Sequence, residues 1–141
     1  MDLSYSLEDY IETIYIQVLK NGAAKVTEIS KVLGVRKASV TGALNALAEK
    51  KLVNYVPYAP ITLTKEGKKT AEKIFEKHKT ILEFFVNILG VSEQEALETS
   101  CRMEHIISRK IFKNMGILNQ FMKEQTEESL KFKAQILRLF S

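Results

Sequence analysis

The sequence predicts a mainly α chain with one small β element, divided into residues 1–74 and an all-helical 75–141. Three observations carry that prediction. Apolar residues recur at helical spacing along most of the chain, hydroxyl residues stand just before several of those runs, and the one strand-like stretch flanks Pro57-Tyr58-Ala59-Pro60. At 141 residues and 45% apolar, the chain can bury a real core.

Taken in order, Ser6 is expected to cap a first helix with the stripe Leu7, Tyr10, Ile11, Ile14, Tyr15 and Val18, ending near Asn21-Gly22. Asp9 stands fourth in Ser-x-x-Asp and could complete a capping box. From Val26 to Lys50 the pattern predicts two short helices about a turn at Gly34, the first capped by Thr27 and buried through Ile29, Val32 and Leu33. Val35, Val40, Leu44 and Leu47 are the apolar positions that follow. Lys51 to Val56 and Ile61 to Leu63 then form a hairpin, since no helix crosses the two prolines.

A helix, a glycine turn, a second helix and a hairpin make a winged helix-turn-helix. Arg36, Lys37, Ser39 and Thr41 on the second helix, with Lys51 and Tyr58 of the wing, are the candidate DNA contacts. Cations and hydroxyls of this kind meet phosphates and base edges. Charge agrees. Residues 20–73 carry eleven Lys/Arg against four Asp/Glu, a local +7 in a chain of formal charge +4.

Thr64 starts a long helix, Lys65 to about Leu89, closed by Gly90. Its second half, from Ile81 to Leu89, has more apolar residues than one packing face needs and is expected to form a dimer interface. Ser92 opens the next helix and Ser108 the one after, running to about Lys123 with Ile111, Phe112, Leu118 and Phe121 inward and an irregularity expected at Met115-Gly116. A final amphipathic helix runs from about Glu127 to Phe140. No apolar run reaches a membrane span, and Asp2, Glu8 and Asp9 do not suit a signal peptide. A single cysteine fits a reducing cytoplasm.

That cysteine lies in Cys101-Arg102-Met103-Glu104-His105, where helical spacing puts Cys101, Glu104 and His105 on one face. Thiolate, carboxylate and imidazole together are half of a transition-metal site. Asp9 and Glu12, three apart on the first helix, and His78, the other histidine, are available for the rest. A cysteine-histidine hydrolase is disfavoured, because His105 is only one turn from Cys101 and no glycine-rich oxyanion turn is evident. The remaining alternative is a winged-helix regulator answering to an organic ligand or to oxidation of Cys101.

The succession from Glu8 to Tyr15, the winged helix, Lys77-His78 and Cys101 to His105 resembles the metal-dependent repressors of the diphtheria toxin repressor and manganese transport regulator type. The resemblance implies a homodimer that binds a double-stranded DNA operator when a divalent metal is held, in the cytoplasm and away from any membrane. It implies Asp9, Glu12, His78, Cys101, Glu104 and His105 as ligands. Iron-type members have the cysteine but a methionine at the position of Asp9; manganese-type members have the aspartate but a glutamate at the position of Cys101. This chain mixes the two, so Fe(II) is expected first and Mn(II) second, with Zn(II), Co(II) or Ni(II) able to bind in vitro. Leu82 and Leu97 replace polar ligands of the iron-type ancillary site, Gly42 replaces a longer polar side chain of the recognition helix, and the third domain of longer members is not expected.

Overall fold

The computed structural model describes residues 3–141; Met1 and Asp2 lie outside the described residues. The order of elements is α1 (Tyr5–Asn21), α2 (Val26–Leu33), α3 (Lys37–Glu49), β1 (Val53–Asn54), β2 (Thr62–Leu63), α4 (Lys65–Asn87), α5 (Glu93–Met103), α6 (Arg109–Lys123) and α7 (Glu127–Phe140). The chain divides into two compact units, Met1–Phe75 and Glu76–Ser141. No helix among the described residues is long and apolar enough to cross a membrane.

In the first unit α1, α2 and α3 pack on one another and on the hairpin. Ile11, Ile14, Ile29, Val40, Leu44 and Leu47 are fully buried at the centre. The helix starts differ from the hydroxyl pattern. Ser4, not Ser6, caps α1, its hydroxyl accepting from the Leu7 amide at 3.2 Å. Thr27 lies inside α2, whose N-cap is Lys25 with no side-chain cap. Val32 is exposed rather than buried, leaving Ile29 and the half-buried Leu33 as the packed face of α2. Gly34 ends α2 with φ 64°, a left-handed turn that costs glycine little.

The hairpin is short and antiparallel, pairing Val53 with Leu63 and Asn54 with Thr62. A separate bridge joins Ile61 to Ala24, which ties the returning strand to the segment between α1 and α2. Thr64 then starts α4. Its hydroxyl donates to the Lys51 carbonyl at 2.7 Å and accepts from the Gly67 amide at 3.0 Å. Gly67 is required there, because a Cβ would overlap the Leu52 carbonyl.

In the second unit Ile81, Phe85 and Ala96 form a small buried cluster, covered by Leu82, Phe84, Val91 and Met103 among others. Asn119 of α6 donates to the Thr80 carbonyl at 3.0 Å, Lys123 pairs with Glu83 at 3.0 Å, and Phe121 meets Phe132 of α7 edge to face at 6.0 Å. Ser92, Ser108 and Thr126 cap α5, α6 and α7 through their hydroxyls. The helix α6 is unbroken at Met115-Gly116, and Ile111 and Leu118 are exposed where an inward face was expected. Leu130, Leu137, Leu139 and Phe140 of α7 are exposed as well.

Candidate metal centre and DNA-binding face

The metal-ligand motif of the second unit is built where α5 ends. The helix stops at Met103 and Glu104 is its C-cap, its amide still bonded to the Ser100 carbonyl at 3.0 Å. The Ile106 and Ile107 amides both return to the Met103 carbonyl, so His105 stands in a turn rather than in the expected continuous helix. Cys101 and Glu104 nevertheless remain one turn apart on one side.

Glu104 is 2% exposed, and a buried carboxylate requires partners. It has two imidazoles. His78 Nδ1 of α4 lies 2.6 Å from Oε2, and His105 Nε2 lies 3.5 Å from Oε1. The Cys101 Sγ is 4.0 Å from the same His78 nitrogen, and Cys101 is exposed. Nitrogen, oxygen and sulfur donors thus converge from three residues, with His105 beside them. That donor set fits a divalent transition metal.

Asp9 and Glu12 lie on α1 in the first unit, three residues apart and therefore on one face. Asp9 is half-buried and Glu12 is 9% exposed. With Ser4 as the cap, the third helical residue is Leu7 and Asp9 lies two residues beyond it. The capping-box reading of Asp9 is thereby removed.

On α3, Arg36 is the N-cap without a side-chain cap, and Lys37 and Ser39 are exposed. The Thr41 hydroxyl is turned back, donating to the Lys37 carbonyl at 3.1 Å. Lys51 has φ 60° at the exit from α3, and Tyr58 has φ 66° and is fully exposed in the loop joining the hairpin strands. A cleft of about 570 Å³ lies between the start of α3 and the wing, lined by Lys25, Thr27, Lys37, Thr41, Tyr55 and the Pro57 to Pro60 turn. Lys25 is a cation of this face that the pattern of apolar residues did not single out. The signal was its place before α2, obscured by taking Thr27 for the cap.

Two family profiles match. Residues 2–61 match the one described as "Iron dependent repressor, N-terminal DNA binding domain", and residues 64–132 match "Iron dependent repressor, metal binding and dimerisation domain". An HTH-type transcriptional regulator of Methanocaldococcus jannaschii is 40% identical over 124 residues, covering 87% of this chain and 99% of that one. The HTH-type transcriptional regulator MntR of Bacillus pumilus is 35% identical over 129 residues, covering 92% and 89%. The solved structure of the manganese regulator SloR matches with a TM-score of 0.67 and 26% identity, over 77% of this chain and 51% of that chain. This chain therefore spans about half the length of that solved relative. From the profile matches in both halves of the sequence and from the two regulators matched over nearly their whole length, the chain belongs to the iron-dependent repressor family of metal-dependent transcriptional regulators.

Proposed function

We propose that this chain is a metal-activated repressor that acts in the cytoplasm as a homodimer on operator DNA and silences genes of metal uptake. The observation that carries the reading is the convergence of His78, Glu104 and Cys101, with His105 on the second oxygen of Glu104. Asp9 and Glu12 complete the proposed ligand set. Residues from the DNA-binding domain and from the second domain would then serve one function, which couples metal occupancy to DNA affinity. A bound ion would supply positive charge to the carboxylates and a Lewis-acid partner for the thiolate.

Glu104 holds both imidazoles in place, and its burial keeps water from competing for them. Moving such a switch from mostly off to mostly on takes a differential affinity of about 5.5 kcal/mol, within reach of a site with this many ligands. The homodimer is supported by the second unit's small buried cluster set against its many exposed apolar side chains, Ile106, Ile117, Leu137 and Leu139 among them. Paired α3 helices would enter successive major grooves, about 34 Å apart or a multiple of that.

Fe(II) is the first choice of ion because a thiolate favours it over Mn(II), and the three carboxylates keep Mn(II) second. The solved manganese regulator SloR, similar along most of this chain, supports keeping manganese in contention. The test is an anaerobic selection of genomic fragments by the purified protein with chelator, Fe(II), Mn(II) or Zn(II). Enrichment of a site only with metal is the expected result, and the ranking names the ion. Equal recovery with chelator would contradict it and favour the alternative of a regulator answering to an organic ligand or to oxidation of the exposed Cys101.

A further inference from the structure

Of the six glycines, Gly42 is the one in a helix where a side chain would meet only open space. Gly22, Gly34 and Gly90 take positive φ, a Cβ on Gly67 would overlap the Leu52 carbonyl, and one on Gly116 would rest in ordinary van der Waals contact with Thr80 at 3.9 Å. Gly42 is different. It lies inside α3 with no positive φ, it is exposed, and a Cβ built on it meets nothing within 4 Å. Alanine would strengthen the helix at this position. A residue that weakens its own helix and leaves open space is accounted for by something outside the chain that comes close.

The surroundings name the outside partner. Gly42 shares the exposed side of α3 with Ala38, one turn earlier, and Asn45, one turn later, in the part of the chain matched as a DNA-binding domain. Its amide is committed to the helix, and a bare Cα offers no hydrogen bond to a phosphate or a base edge. One group on the floor of the major groove takes an apolar contact instead, the C5 methyl of thymine.

We infer that Gly42 is a specificity-determining position, at which the missing side chain lets α3 settle against a thymine whose methyl fills the space. The inference rests on the DNA-binding reading above and adds to it one base of the operator. The test begins with duplexes selected from a random pool by the wild-type chain under anaerobic conditions, with Fe(II) and in parallel with Mn(II). Affinities of the wild type and Gly42→Ala are then measured on the best duplex and on copies in which each thymine in turn is replaced by deoxyuracil.

The variant should lose about tenfold on the parent duplex, and one deoxyuracil should restore most of that loss. Its Tm should rise by about 4 °C, showing that the helix is intact and improved. Equal binding by both proteins overturns the inference and leaves DNA binding standing. So does a loss that no deoxyuracil relieves, or a lowered Tm. Failure of the wild type to select any duplex overturns the repressor reading and this inference together.

Discussion

Glu104 is a buried carboxylate and also a proposed metal ligand. Its two oxygens each face an imidazole, so its burial is compensated by the side chains that the family resemblance assigns as ligands. Cys101, exposed and 4.0 Å from His78, is the proposed ligand that would separate the candidate ions. Replacing it by glutamate exchanges a soft donor for a hard one and should move the preference from Fe(II) toward Mn(II) by about tenfold, worth ~1.4 kcal/mol. Competitive metal titration reads this directly, and an unchanged ratio would remove Cys101 from the proposed set. That these side chains would be candidates for one cluster was visible in the sequence because the chain has one cysteine and two histidines and all three stand in the motifs. The caps were less legible. Ser4 and Ser6 both precede the apolar stripe of α1, and local chemistry does not choose between two hydroxyls two residues apart.

At the scale of elements, the junction of hairpin and α4 is held by Thr64 and by the absence of a side chain at Gly67. Gly67→Ala forces a methyl into the Leu52 carbonyl and should destabilise the protein by about 2 kcal/mol, although alanine is ordinarily the better helix former. Urea unfolding measures it; a gain in stability would show that the strand and helix can part without cost. The seven helices and the hairpin of the described residues were visible as periodicity and turn chemistry. Which face of each helix is covered was not. Val32, Ile111 and Leu118 belong to apolar stripes yet are exposed in the single chain, because a stripe records that a face avoids water and not what covers it.

For the molecule as a whole, charge is divided as function would require. The +7 over residues 20–73 falls on the part matched as DNA-binding, against −3 for the remainder. Operator affinity should therefore fall steeply with salt, with a log–log slope of about −0.9 for each phosphate neutralised and at least about −4 in total. A flat dependence would exclude a phosphate-tracking surface. The sequence passes from basic helices and hairpin to apolar helices, whereas the exposure of apolar side chains on α6 and α7 emerges only once the chain is folded alone.

The most direct test of the whole account is operator affinity of the wild type and Glu104→Ala, measured anaerobically by fluorescence anisotropy with chelator, Fe(II) and Mn(II), with the oligomeric state followed by sedimentation. The wild type should bind at least about a hundredfold more tightly with metal, a difference of ~2.7 kcal/mol, and Glu104→Ala should stay dimeric yet lose that response. A variant that keeps the full metal response, or a wild type that binds equally well in chelator, would contradict the account.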